Sequence, residues 1–68
     1  MKTFGENLRE IRIGCKLNQR EFAKLIGTSQ QRVSEWETNK VEPTLFNIIK
    51  ITKVLNVTFE ELTDGIEI

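Results

Sequence analysis

The sequence predicts an all-α fold, a compact bundle of five short helices in a single domain that spans residues 1–68. Apolar residues recur three or four positions apart almost throughout, which is the period of an amphipathic helix and not the alternation of a strand. Residues that cap helices precede these apolar stripes, and glycine or asparagine follows most of them. A chain of 68 residues with one proline has room for one small core and short connections.

The first helix is predicted to begin near Phe4, because Thr3 and Glu6 have the spacing of a capping box. Gly14 lies near its end. Cys15 is the only cysteine of the chain, and we interpret it as a small core residue. Spacings of four, three and four give the inner stripe of this helix, which is Phe4, Leu8, Ile11 and Cys15.

A second capping box, Asn18 with Glu21, predicts the start of the second helix. Gly27 ends that helix, since glycine adopts positive φ without a steric penalty. Thr28 with Gln31 is the predicted cap of the third helix. The residues that these two helices turn toward the core are Phe22, Ala23, Ile26, Val33 and Trp36.

Asn39 is the predicted left-handed stop of the third helix, and Asn56 ends the fourth. Pro43 is predicted to open the fourth helix, and Thr58 with Glu61 caps a short fifth one. The predicted inner residues of the fourth helix are Leu45, Ile48, Ile51, Thr52 and Leu55, and the fifth helix carries Phe59 and Leu62.

Charge is distributed unevenly along the chain, although its net value is zero. Residues 1–40 carry eight Lys and Arg against five Glu, a net of +3, and residues 41–68 carry two Lys against five acids, a net of −3. A neutral chain lacks the usual basic character of a nucleic-acid-binding domain. The uneven distribution nevertheless lets one end face phosphates while the other faces solvent or a partner.

The residue types present exclude several function classes. There is no histidine and no second cysteine, and no glycine-rich phosphate loop or metal-ligand set, so we expect no enzyme, no cofactor and no small-molecule ligand. No apolar run approaches the ~20 residues of a membrane span, and we expect no signal peptide because the first ten residues are charged. A lone thiol suits a reducing compartment, and we expect a cytoplasmic protein without a membrane partner.

The segment from Gln19 to Thr38 carries the functional signal. It holds two short helices joined at Gly27, with a small residue, Ala23, where the second helix crosses the first. Val33 and Trp36 anchor the second helix, whose start can therefore present polar side chains to base edges in the major groove, as in a DNA-reading helix-turn-helix. The residues left facing outward are Ser29, Gln30, Gln31, Arg32 and Glu35.

These motifs resemble the Cro and phage-repressor helix-turn-helix family, also called the xenobiotic-response-element family. The resemblance is carried by FGENLREIR, LNQREFAKLIGTSQQRVSEWE, the Pro-Thr-Leu of residues 43–45 and LNVTFEEL, and is strongest toward lambdoid phage repressors and Cro proteins. It implies a lambda-repressor-like fold in which helices 2 and 3 form the helix-turn-helix. It also implies a sequence-specific transcriptional regulator, a repressor, whose partner is a double-stranded DNA operator.

Base-reading roles follow from the resemblance. Gln30 would read adenine, to which a glutamine amide can pair bidentately, and Gln31 would read the next base pairs. Arg32 stands where the phage proteins have a small polar residue, and it would add a guanine or phosphate contact. Glu35 also replaces a polar residue, and it would either accept from cytosine N4 or repel phosphate. Ser29 would line a thymine-methyl contact.

Phosphate contacts are implied in the same way. Gln19 would bind a phosphate at a helix start and brace Gln30, and Arg12 would neutralise Glu37 while facing phosphate. The loop from Asn39 to Glu42 looks shorter than the family's and is acidic at Glu42, so a minor-groove arginine contact is not carried over from the resemblance. The expected phosphate-contacting residues are Arg12, Asn18, Gln19, Arg20, Thr28, Thr38 and Lys40.

Apolar residues outside the predicted core suggest a partner surface. A weak or DNA-assisted homodimer would double the contacts of one half-site and match a pseudo-palindromic operator. The alternative is a protein-interaction module of the same fold, such as an antitoxin that binds a partner protein. The neutral charge favours that alternative, whereas the polar face of the third helix argues against it. The dimer candidates are Phe46, Ile49, Phe59, Ile66 and Ile68.

Overall fold

The computed structural model describes residues 2–67 and confirms the all-α prediction for that range. Its helices are α1 (Phe4–Gly14), α2 (Gln19–Ile26), α3 (Gln30–Glu37), α4 (Leu45–Leu55) and α5 (Phe59–Leu62). Helix α1 packs against α3 and α5, and α2 packs against α3 and α4. Within the described range, no helix is both long enough and apolar enough to cross a bilayer.

One hydrophobic core joins all five helices. Phe4, Ile11 and Ile48 are half-buried and pack against its edge. Because every helix contributes at least one buried side chain, each helix is held by tertiary packing, which short helices require. The buried apolar residues are Leu8, Phe22, Ala23, Ile26, Val33, Trp36, Ile51, Leu55 and Leu62.

The predicted start and stop signals are largely confirmed. Thr3, Asn18 and Thr58 each form a capping box with the glutamate three residues on. Asn39 and Asn56 adopt the left-handed conformation, with φ of 63° and 55°. These short-range contacts satisfy backbone groups that every helix end leaves without a partner.

The predicted cap of α3 is wrong by one residue. The N-cap is Ser29, whose hydroxyl accepts from the Arg32 N–H at 3.1 Å. The reason is the turn at Gly27, where φ is 85°. The N–H groups of both Gly27 and Thr28 donate to the Ala23 carbonyl at 2.9 Å. Thr28 therefore still belongs to the end of α2.

Cys15 is exposed, so its assignment to the core is wrong. Helix α1 ends at Gly14, and Cys15 is its C-cap residue. The next residue, Lys16, has a φ of 61°, so the chain turns away before the helical stripe can continue. The thiol lies at the surface, 3.9 Å from the Leu55 carbonyl oxygen.

The start of α4 also differs from the prediction. Thr44 is the N-cap and accepts from the Asn47 N–H, so Pro43 precedes the helix and does not open it. Leu45 is 72% exposed and not part of the inner stripe. We attribute this to its place as the first helical residue, because helical side chains lean toward the N-terminus. Farther along, Ile51 and Leu55 are buried as predicted.

A buried asparagine joins the two ends of the chain, which the sequence did not predict. Asn7 of α1 is 6% exposed. Its amide donates to the carbonyl oxygens of Leu62 and Asp64, both at 2.9 Å. Because α5 has only four residues, the bond to Leu62 and the bond to Asp64, just beyond the helix, add to the buried Leu62 side chain in holding this part of the chain on α1.

Candidate nucleic-acid interface

The geometry of α2 and α3 is set by the glycine turn and by buried side chains on both helices. Phe22, Ala23 and Ile26 of α2 and Val33 and Trp36 of α3 are at most 3% exposed. Ala23 is small, as expected where two helices cross closely. The two helices therefore form a closely packed pair, and this packing sets the direction in which α3 presents its other face.

Glu37, at the end of α3, is the centre of a buried polar network. It accepts from Arg12 Nε at 2.6 Å, from Arg12 Nη2 at 3.1 Å and from Gln19 Nε2 at 3.0 Å. Arg12 Nη1 donates to the Leu17 carbonyl at 2.7 Å. Both carboxylate oxygens thus have charged or polar donors, which a buried charge requires.

The network joins the start of α2 directly to the end of α3 and also ties the end of α3 to α1. The Gln19 amide donates to Glu37, so the structure gives Gln19 a partner other than the expected Gln30. The Arg12 side chain is 8% exposed, so little of its guanidinium is accessible at the surface. The expected pairing of Arg12 with Glu37 is present.

The outward side of α3 is polar and accessible. Gln30, Gln31 and Arg32 are all exposed. Arg32 Nε lies 3.7 Å from Glu35 Oε1, one helical turn on. This pair neutralises the charge of Arg32 in part, and surface pairs of this kind contribute little to stability. The Ser29 hydroxyl, which was expected near a base, caps the helix.

The remaining expected phosphate contacts lie at the start of α2 and around the ends of α3. Asn18, Arg20, Thr38 and Lys40 are exposed, and Thr28 is half-buried. The Asn18 side chain accepts from the Glu21 N–H at 2.7 Å, and the Thr38 hydroxyl donates to the Ser34 carbonyl at 2.9 Å. Lysine and arginine side chains here remain accessible for ionic contact.

Two residues that position this surface were not identified as such from the sequence. Gly5 of α1 lies against α3, and a Cβ built there would be 2.3 Å from the Glu37 carbonyl oxygen. Asn39 accepts from the Gly5 N–H at 3.0 Å and donates to Thr3 Oγ1 at 2.9 Å. The left-handed conformation of Asn39 was predictable, but its partners, more than 30 residues away, were not.

The dimer candidates fall into two groups in the structure. Phe59, 53% exposed, and Ile66 line a groove of about 400 Å³ that also borders Ile48.

The second group lies on α4. Phe46, 66% exposed, lies under the Lys50 ammonium, which is 4.8 Å from the ring centre. Lys50 in turn donates to the Ile26 carbonyl at 3.3 Å, which places this pair beside the end of α2. Ile49 is exposed, and Ile68 lies outside the described residues.

Helix α3 is polar and accessible on its outward side, packs on α2 and is joined to it by a turn at the left-handed Gly27. This arrangement is that of a helix-turn-helix protein. The Helix-turn-helix family profile (HTH_3) matches residues 8–62. Since this is most of the chain, the chain belongs to that family, and the resemblance seen in the sequence is confirmed.

Three relatives show how this family member compares with known proteins. The transcriptional activator BcrR of Enterococcus faecalis is 34% identical over 65 residues, 96% of this chain and 32% of BcrR. The chain thus spans about a third of that relative. The P22 c2 repressor in complex with a synthetic operator has a TM-score of 0.88 at 29% identity, covering 96% of this chain and 98% of the other. The restriction-modification controller protein C.AhdI of Aeromonas hydrophila has a TM-score of 0.82 at 34% identity, covering 87% and 89%.

Proposed function

We propose that this chain is a transcriptional regulator that binds specific sites in double-stranded DNA with α3 in the major groove. One observation carries the proposal. Gln30, Gln31 and Arg32 are exposed at the start of α3, while Val33 and Trp36 of the same helix are buried. The match to a repressor bound to an operator supports it. Such regulation requires binding and no catalytic step.

Gln30 and Gln31 are the proposed base readers, because an exposed glutamine amide can donate to and accept from one adenine edge. Arg32 joins them through its terminal amines, which remain available while Nε faces Glu35. Glu35 thereby orients Arg32. Ser29 contributes mainly by capping α3.

The proposed phosphate contacts come from the start of α2 and from the two ends of α3. Asn18, Gln19 and Arg20 act at the start of α2, where backbone N–H groups also favour an anion. Thr28, Thr38 and Lys40 act at the ends of α3. Arg12 acts indirectly, by holding Glu37 and thus the Gln19 side chain in place. With a net charge of zero, non-specific affinity is low and base reading decides where the chain binds.

The proposed regulation is repression, by occupying an operator that overlaps a promoter. The relatives include both an activator and a repressor, and the position of the site relative to the promoter distinguishes the two effects. A reporter gene with the selected site placed either across its promoter or upstream of it tests whether the bound chain represses or activates transcription.

The first experiment selects bound duplexes from a random pool, at low salt and with high protein concentration. We expect a pseudo-palindromic consensus. Gln30→Ala should lose its preference at one base pair of each half-site, at a cost of about 1–3 kcal/mol. Lys53→Ala, a change on the exposed surface of α4, is the control and should keep the consensus. If the wild-type chain enriches no sequence, the proposed function is wrong.

Dimer formation is proposed through the groove lined by Phe59 and Ile66. Exposed aromatic side chains next to a concave apolar surface are typical of interfaces. Sedimentation with and without the selected duplex tests this. Phe59→Asp should abolish cooperative binding to the full site, whereas Phe46→Asp, which changes the other apolar group, should leave it intact. If Phe46→Asp abolishes cooperative binding and Phe59→Asp does not, the dimer interface lies instead on the surface of α4 beside the end of α2.

A protein-interaction module is the second candidate function. It is favoured by the exposure of large apolar side chains, including Leu25 at 59% and Leu45 at 72%. If the chain enriches no duplex, and a partner protein binds and is released by Leu25→Ser, this function replaces the first.

A further inference from the structure

Asn39, which follows α3, is attached to the start of α1 by both halves of its side-chain amide. Its Oδ1 accepts from the Gly5 N–H at 3.0 Å. Its Nδ2 donates to Thr3 Oγ1 at 2.9 Å. Thr3 is the N-cap of α1, and the same hydroxyl accepts from the Glu6 N–H at 3.1 Å. A single asparagine thus links the end of α3 to the cap of α1.

The backbone conformation does not by itself require this side chain. Asn39 has a φ of 63°, and glycine is the residue that most readily adopts positive φ at a helix end. Asparagine tolerates that conformation, and here it adds two hydrogen bonds to residues 34 and 36 positions away. Ending α3 does not require these two bonds, and their structural effect is to connect the end of α3 to the start of α1.

The segment that these bonds hold is the one that carries two expected phosphate contacts. Thr38 precedes Asn39, and Lys40 follows it; both are exposed. The Asn39 N–H donates to the Trp36 carbonyl at 3.2 Å, and the Lys40 N–H donates to the Glu35 carbonyl at 2.9 Å. Backbone hydrogen bonds therefore attach the segment to α3. The side chain of Asn39 attaches it to the start of α1.

We propose that Asn39 is a positioning residue for DNA binding. By holding residues 38–40 against α1, it orders this segment before DNA arrives and presents Lys40 to the phosphate backbone. Binding then loses less conformational entropy than it would if the segment were held on α3 alone, without the attachment to α1. This role rests on the proposed function, because it needs a DNA phosphate as the ligand of Lys40.

Asn39→Gly is the test, because it keeps the left-handed conformation and removes both side-chain bonds. DNA affinity is measured against salt concentration, at a temperature where each variant is fully folded. We expect affinity about threefold to tenfold weaker on every sequence, with the selected consensus unchanged and a smaller salt slope. Asn56→Gly is the matched control, since Asn56 ends α4 with a φ of 55°. It should leave affinity unchanged.

A double-mutant cycle separates positioning from a general loss of stability. If Asn39 acts through Lys40, then Lys40→Ala should weaken binding less in the Asn39→Gly background than in the wild type. The positioning role is overturned if Asn39→Gly matches wild-type affinity, or if the effect of Lys40→Ala is the same in both backgrounds. A wild-type chain that selects no duplex overturns the proposed function as well, so the two failures are distinguishable.

Discussion

Gly5→Ala should destabilise the protein strongly, because α1 and α3 approach each other at this position. The added Cβ would lie 2.3 Å from the Glu37 carbonyl oxygen and 2.7 Å from the Trp36 carbonyl oxygen. Ordinary contact begins at 3.4 Å, so the backbones must separate by about 1 Å. Overpacking of this kind costs about 1–3 kcal/mol, with the upper end expected where the obstacle is backbone. Replacing glycine by alanine in the middle of a helix stabilises it by about 0.5–1 kcal/mol, and this gain is an upper bound for Gly5, the second residue of α1.

The net loss is therefore about 2 kcal/mol, a large part of the few kcal/mol that stabilise a domain of this size. Thermal unfolding followed by circular dichroism should show a midpoint lower by about 10 °C. Gly14→Ala is the matched control, since its Cβ would have nothing within 4 Å, and it should raise the midpoint slightly. If both variants unfold at the same temperature, the close approach of α1 and α3 is refuted.

Two further predictions concern buried polar contacts. Glu37→Ala leaves the buried Arg12 guanidinium without its carboxylate and should cost about 3–5 kcal/mol in urea unfolding. Replacing both residues by leucine should restore much of that loss, and a double variant as unstable as Glu37→Ala would contradict the reasoning. Asn7→Ala removes the bonds to Leu62 and Asp64 and should cost about 1–3 kcal/mol. Hydrogen exchange should then accelerate in α5 more than in α2, whereas a uniform acceleration would count against a local role.

The sequence predicted what short-range chemistry determines. The capping boxes that begin at Thr3, Asn18 and Thr58 involve residues three apart, so their spacing alone marks the helix starts. The left-handed stops at Asn39 and Asn56 were predictable for the same reason. In the candidate interface, the separation of buried Val33 and Trp36 from the exposed glutamines also followed from helical periodicity.

The errors arose where a periodic pattern was extended past the point at which the backbone changes direction. Cys15 continues the stripe of α1 in sequence, but the helix has already ended at Gly14. Thr28 has the spacing of a cap, but its N–H is part of the preceding turn. The sequence could not reveal the partners of Asn7 or Asn39, since nothing local indicates which distant carbonyl or N–H will lie beside them.

The two faces of α3 have a consequence for how such a domain diversifies. The side chains that hold the helix in place, Val33, Trp36 and Glu37, are buried, whereas Gln30, Gln31 and Arg32 are exposed. Changes at Gln30, Gln31 or Arg32 leave the core untouched, and surface changes of this kind usually alter stability by about 0.5 kcal/mol or less. If α3 reads DNA as proposed, new target sequences can be acquired at Gln30, Gln31 and Arg32 without a new fold, because the buried support of the helix stays the same.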